Sequence, residues 1–419
     1  MSLVNIKMFP ASYGDSFLVT CYGKEKTHIL IDMGFKSTYD NCIKKEIQKI
    51  NECGETISLL VFTHIDEDHI LGGIKFLEEN KDEKIVKIQE IWHNSLKHIK
   101  KDYGISKIQD TKQKSLPAEK EISKIIMKGH EKERGVREIS EISYLQGSTL
   151  SGLLYQNGYS KKWNSSYNHQ AIVVEQSPKG LKSIFINDKV KITLLSPDNK
   201  DLNNLYQVWN EEICKWNGMN EISENLEDEA FEIYISRQIE LRKKKRTVSG
   251  VSGKLNNIEE VANQNFDADT SPKNGSSIAF ILEYESKKIL FLSDSHSATI
   301  EKNLKKIQRY PHEKLYFDAI KISHHGSKHN TSKSLLNLIE SKKYLISTNG
   351  MKKNHPDFET FCRIISNDKN KKKKIFFNYK PKIYSEINLD ALKKEFNYEI
   401  LYTNDPKEGT SYEITNIEI

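Results

Sequence analysis

"FTHIDEDHILGG", residues 62–73, sets two histidines and two aspartates within six positions, at the end of the apolar run "ISLLVF" (57–62). The run has strand length, and "ILGGIKFLEEN" after it has helical spacing, so His64, Asp66, Asp68 and His69 fall where a strand hands over to a helix. Imidazole nitrogens and carboxylate oxygens are the usual ligands of zinc and manganese, and a tight turn aims several of them at one point. The competing reading is an ordinary turn, with Asp66 and Asp68 capping the helix and both histidines on the surface.

Further strand-like runs carry the same kind of residue at their ends. "HILI" (28–31) ends on Asp32, "ILFL" (289–292) leads to Asp294, and "AIKI" (319–322) leads to His324 and His325 in "SHHGS". Other runs, "SFLVTCY" (16–22), "IAFILEY" (278–284) and "YLIS" (344–347), are also short and rich in large apolar side chains. Between them lie helical patterns such as "DNCIKKEIQKINE", with Ile43, Ile47 and Ile50 on one face, and "SKSLLNLIESKK", with Leu335, Leu338 and Ile339. The alternation predicts an α/β architecture, and open α/β sheets present functional groups beyond the carboxyl ends of their strands. One common site is therefore expected.

These motifs together resemble the metallo-β-lactamase superfamily, whose signature is HxHxDH on a strand-to-helix turn followed by distant His, Asp and His ligands. Here Asp66 stands where the second histidine usually stands. "PASYGDSFLV", "ILIDMG", "THIDEDHILGG", "NGSSIAFILEYESKKILFLSD", "IKISHHGS" and "ISTNGMKKNHP" are similar, in the same order, to the soluble hydrolase-like domain of the DNA-uptake protein ComEC and its free-standing relatives. The similarity covers residues 3 to 75 and 274 to 360.

The resemblance implies a four-layered αβ/βα sandwich, each half contributing one sheet, with two divalent metal ions in the cleft between them. It implies that His64 and Asp66 hold one metal and Asp68 and His69 the other, with Asp294 bridging both. One of His324 and His325 completes the second metal, and the other is placed to protonate a leaving group. Asp68 or Asp294 orients the nucleophile. Asp32 supports the cluster through hydrogen bonds, Asp15 lies close to the cleft, and His355 faces the substrate. The superfamily's middle histidine has no clear match; His169 in "SSYNHQAIVV" and His93 in "EIWHNS" are the candidates. A donor set this rich in oxygen suits manganese or magnesium, with zinc also admitted.

Composition bounds the rest. The 419 residues, 37% hydrophobic and 29% charged, describe a globular protein with a substantial core. No apolar run approaches the roughly 20 residues of a transmembrane helix, and "MSLVNIKMFP" lacks the pattern of a signal peptide, so a cytoplasmic protein without membrane contact is expected. Five scattered cysteines without CxxC spacing suggest neither disulfides nor a thiolate zinc site. Lys and Arg exceed Asp and Glu by 64 to 58, which permits a polyanionic partner without requiring one. The basic runs "RKKKR" (242–246) and "KNKKKK" (369–374), and the basic-aromatic stretches "KKWNSSYNH" (161–169) and "FFNYKPK" (376–382), are candidate nucleic-acid contacts.

The reading divides the chain into residues 1–199, an N-terminal half with a Lys-rich insertion at 97–135; 200–274, a helical and flexible insertion; and 275–419, the C-terminal half of the same domain. The leading expectation is a phosphodiesterase or nuclease acting on DNA, RNA or nucleotides through a two-metal-activated water. The alternatives are a small-molecule hydrolase, for a cyclic nucleotide, phosphocholine ester, lactone or β-lactam, and a metal-binding regulatory or inactive subunit of a multiprotein system.

Overall fold

A computed structural model describes residues 3–102, 139–178, 180–217, 257–351, 354–403 and 414–419. "RKKKR" and most of the Lys-rich insertion lie outside them. Among the described residues, one sheet is built from β1 (Val4–Met8), β2 (Phe17–Cys21), β3 (Thr27–Ile31), β4 (Ile57–Val61), β5 (Ile88–Trp92) and the C-terminal β18 (Thr415–Glu418). Its strand order is β18-β1-β2-β3-β4-β5. After the short hairpin β6 (Gln176–Ser177) and β7 (Gly180–Leu181), a second sheet of eight strands begins with β8 (Ser183–Phe185) and β9 (Val190–Ser196). It continues with β10 (Ala279–Tyr284), β11 (Lys287–Phe291), β13 (Ala319–Lys321), β15 (Lys343–Ile346), β16 (Lys373–Phe377) and β17 (Tyr398–Tyr402). A small parallel pair joins β12 (Leu315–Phe317) to β14 (Ile339–Ser341).

The two sheets pack face to face. Phe17, Val19, Ile29, Ile31, Leu59 and Val61 of the first share one core cluster with Ile192, Leu194, Phe280, Leu282, Ile289 and Phe291 of the second. Phe17 and Phe291 meet edge to face at 5.9 Å. The intervening residues point outward into two further clusters. Leu18, Leu30 and Leu60 pack on helix residues Ile47, Ile74 and Leu150, and Ile281, Leu290 and Ile320 pack on Ile300, Leu304 and Phe361. Helices thus cover both outer faces, giving the expected four-layered αβ/βα sandwich. Central strands buried on both faces read as unbroken apolar runs, which is why the sequence reveals them.

The structure departs from the expected boundaries in identifiable places. The second sheet takes β8 and β9 from ahead of the 200–274 segment, and the C-terminal β18 returns to pair with β1, so the sheets do not follow the halves of the chain. The helix expected through Ile339 stops at Leu338, where the chain turns extended to pair with β12. Across 200–274, the described helices Asn199–Asn217 and Ile258–Ala262 pack into the folded body, Leu202, Leu205 and Trp209 in one core cluster and Ile258, Val261 and Ala262 in another beside Phe361. No helix among the described residues is long and apolar enough to cross a membrane.

The glycines of the opening motif answer a close approach. The helix Glu67–Glu79 is fastened to the loop after β3 by bonds from Met33 N to His69 O and from Gly72 N to Gly34 O, 2.9 and 2.8 Å. A Cβ on Gly72 would lie 2.0 Å from the Met33 carbonyl oxygen, and one on Gly73 would lie 2.1 Å from the Phe62 ring. Only glycine lets this helix bring His69 so near Asp32.

Candidate metal centre

The expected residues converge at one end of the sandwich. Asp32, Ser293, His324 and His325 all adopt left-handed backbone conformations, φ 52, 48, 46 and 56°. Such conformations cost energy in non-glycine residues, and here four of them fall at the ends of strands that carry ligand-type side chains.

Four imidazoles are oriented alike. Thr63 donates its hydroxyl to Asp32 Oδ2 at 2.7 Å, which leaves the hydroxyl oxygen to accept from His64 Nδ1 at 3.1 Å. Asp32 Oδ2 also stands 2.8 Å from His69 Nδ1. His325 Nδ1 reaches the Ser347 carbonyl at 2.9 Å, and His324 Nδ1 reaches Asn330 Oδ1 at 2.9 Å. Each Nδ1 is thereby committed outward and each Nε2 faces inward. The inward atoms surround Asp294 Oδ2 at 3.9 Å (His64), 3.5 Å (His69), 3.7 Å (His324) and 3.6 Å (His325). Asp68 Oδ2 lies 3.5 Å from His325 Nε2.

This donor set fits a divalent cation. The Nε2 atoms of His64, His69 and His325 and the Oδ1 of Asp294 are buried without a hydrogen-bond partner, an unusual state for polar atoms. Ligand atoms of His64, His69 and Asp294 lie within 4.8 Å of one another, as do those of Asp68, His69 and His325. The pair His324–His325 divides accordingly: His325 is the member grouped with Asp68, whereas His324 sits at the rim with 12% of its side chain exposed.

The electrostatics favour positive charge at this point. Burial opposes ionising Asp294, yet His325, His324 and His69 hold its carboxyl well below the usual range. Burial likewise opposes charging His325, but Asp294 and Asp15 overcome it and push the ring up to about 9. His69 is raised by Asp294 and Asp32 against the same burial penalty. His64 moves the other way, down to about 4, through burial and the neighbouring His69.

The remaining expected residues fall in two groups. Asp15 is buried beside the cluster, its Oδ1 3.3 Å from His325 Nδ1, and His355 is buried with its ring 5.4 Å from that of His324. His169 is not brought to the cluster: it is exposed, with Nδ1 on the Trp163 carbonyl at 2.9 Å. His93 is buried, but its ring stacks on Trp163 and meets Phe62 edge-on, and burial pushes it down to about 3. Neither belongs to a convergent donor group among the described residues.

Three residues escape the sequence reading. Lys321, fully buried inside β13, pairs with Asp15 and lies 3.7 Å from Asp294 Oδ1. A lone lysine within "AIKIS" is its signal. Lys273 stands 2.5 Å from Asp66 Oδ1, and Asp269 receives Asn274 and Asn330 side-chain amides at 2.6 and 2.9 Å beneath His324. Both sit in a polar stretch that looks like a connector. Asp66 does stand at the helix N-cap, but its side chain makes no cap bond and turns to Lys273 instead.

Of the candidate nucleic-acid contacts within the described residues, the aromatic members are largely core residues, whereas the lysines are mostly at the surface in ion pairs. Trp163, Tyr167 and Phe377 are core residues, and Lys162 pairs with Glu83. In the basic run, Lys369 pairs with Glu259, Lys371 with Glu340 and Lys372 with Glu399, while Lys373 is buried.

Comparison with protein families agrees with this geometry: residues 10–149 match the model of the Metallo-beta-lactamase superfamily. No curated protein matches the chain. Among solved structures, a mutant of CmlA beta-hydroxylase aligns with 99% of this chain and 54% of its own length, at 8% identity and a TM-score of 0.34. The chain thus spans about half of that structure.

Proposed function

We propose that this metallo-β-lactamase-type centre is a metal-dependent hydrolase of phosphodiester bonds, acting on DNA, RNA or nucleotides with manganese or zinc as its cation. The observation that carries the proposal is the convergence of four Nε2 atoms on Asp294 Oδ2, with the Asp68 carboxylate beside His325. Two carboxylates beside three imidazoles suit manganese or zinc, cations that serve phosphate chemistry. The ordered likeness of six motifs to a DNA-uptake domain supports a nucleic-acid substrate.

His64, His69, Asp68, Asp294 and His325 would hold the cation. A cation bound there supplies Lewis acidity, bringing the pKa of water toward neutrality and offsetting charge on phosphoryl oxygens. Asp68 orients the attacking water and accepts its proton. His324, the rim member of the four, donates a proton from Nε2 to the departing oxygen while Asn330 fixes its ring through Nδ1. His355, behind His324 with its Nδ1 3.4 Å from Asp357 Oδ2, would face the substrate. Asp32 holds His69 in place through its Nδ1.

The test is to incubate the manganese-loaded protein with labelled single- and double-stranded DNA, RNA and a cyclic dinucleotide, beside an Asp68→Ala, His69→Ala double variant. Cleavage of one of them that the double variant lacks is the expected result. Absence of any variant-sensitive cleavage overturns the phosphodiesterase reading.

A further inference from the structure

We propose that the Lys273 ammonium takes the place of the first metal ion, so that this centre holds one divalent cation and one built-in lysine charge. This rests on the reading of the cluster as a metal centre. The first position is short of donors. Its signature histidine is replaced by Asp66, and both candidates for the middle histidine lie elsewhere, His169 exposed and His93 enclosed by Phe62 and Trp163. Asp66 joins no convergent donor group among the described residues, while His64, Asp68, His69, His325 and Asp294 belong to groups that do converge, so His64 is the one donor left at the first position. Instead Asp66 Oδ1 meets Lys273 Nζ at 2.5 Å, and its Oδ2 remains 3.9 Å from His64 Nε2. A cation is thus already present on the carboxylate that the first metal would need.

Lys273 is held there by its surroundings. It lies on the single turn Pro272–Gly275, which starts with proline after Ser271. Asp269 ties that turn down, accepting Ser271 N at 2.9 Å and Asn274 Nδ2 at 2.6 Å, and the same carboxylate accepts Asn330. On the far side, Ile278 N bonds the Thr63 carbonyl at 2.9 Å, one residue before His64. Gly275 packs so tightly under His296 that a Cβ would lie 2.7 Å from that ring. The turn is therefore wedged between the two strand ends that carry the ligands.

A fixed ammonium next to the cluster repels a second divalent ion at close range, where the low-dielectric interior strengthens the repulsion. It also supplies without dissociating the second positive charge that two-metal hydrolases use against phosphoryl oxygens. Lys273 contributes as a positioning and charge-bearing residue.

Calorimetric titration of manganese, and separately of zinc, into the chelator-stripped full chain tests this through stoichiometry, independent of turnover. The wild type is expected to bind about one equivalent, and so is Lys273→Arg, which keeps the charge. Lys273→Met, of similar length without charge, is expected to gain a second equivalent by freeing Asp66. Circular dichroism confirms folding of each variant, and Lys273→Ala serves where the Met variant does not fold. Two equivalents in the wild type overturn the proposal, as does a folded uncharged variant that stays at one. Zero equivalents in every protein overturn the metal-centre reading itself.

Discussion

The Nε2 atom of His69 stands 3.5 Å from Oδ2 of Asp294, although the two residues follow strands of different sheets. His69 reaches this place because Asp32 receives its Nδ1 at 2.8 Å and because Gly72 lets the helix close onto Met33. Asp294 reaches it from the end of β11, just after Ser293 turns left-handed. The site is thus a seam between two sheets.

Asp32→Asn tests how that seam is held. The amide keeps the shape of the carboxylate but removes the negative charge that fixes the His69 Nδ1–H. Metal affinity is expected to fall about 10- to 100-fold, the usual cost of losing such a partner, with the circular dichroism spectrum unchanged. Competition with a chromophoric chelator measures it, and unaltered affinity would remove Asp32 from the account.

Lys321 makes a prediction about stability. It is buried between Asp15 and Asp294, and Lys321→Met leaves the buried Asp15 carboxylate with only the His325 ring, 3.3 Å away, to balance its charge. Removing one partner of a buried pair costs about 3–5 kcal/mol, whereas an exposed pair such as Lys189–Glu285 is screened by solvent and contributes little. Urea denaturation of Lys321→Met and Lys189→Ala compares the two, and equal midpoints would contradict the buried-pair reading.

Lys373 gives a pH signature far from the site. Its ammonium is buried and donates to the carbonyls of Ile365, Asp368 and Lys371 at 3.3, 2.6 and 3.3 Å. Burial pushes its pKa down to about 8. Because the folded value lies below the unfolded one, the unfolded chain binds more protons between about pH 8 and 10.5, and this group's contribution to stability rises with pH across that window. Relative to Lys373→Met, the wild type should gain on the order of 2–3 kcal/mol from about pH 7.5 to 10 in urea titrations. Parallel pH profiles would show that Lys373 titrates normally.

What the sequence discloses follows from which forces act locally. Asp32, His64, Asp68, His69, Asp294 and His325 are legible because each ends or follows an apolar strand run, where packing does not select such side chains. β1 escapes notice because it is buried on alternate residues only, and β16 because it begins inside the basic run, at Lys373. Lys273 and Asp269 are not legible, since their partners Asp66 and Asn330 are distant in the chain and nothing in "FDADTSPKNG" marks a site. His169 misleads because a histidine ahead of an apolar run looks like a ligand, whereas its ring serves a local turn through the Trp163 carbonyl. The charge of 369–374 lies at the surface except at Lys373, and three of its lysines pair with Glu259, Glu340 and Glu399, a matter of tertiary placement that composition does not carry.

Anomalous diffraction from crystals of the full chain soaked in manganese, recorded also with zinc, tests the central claim most directly. The account predicts a peak among Asp294, His64, His69, Asp68 and His325, the side chains proposed to hold the cation. Metal-soaked crystals with no anomalous peak among these side chains would contradict it.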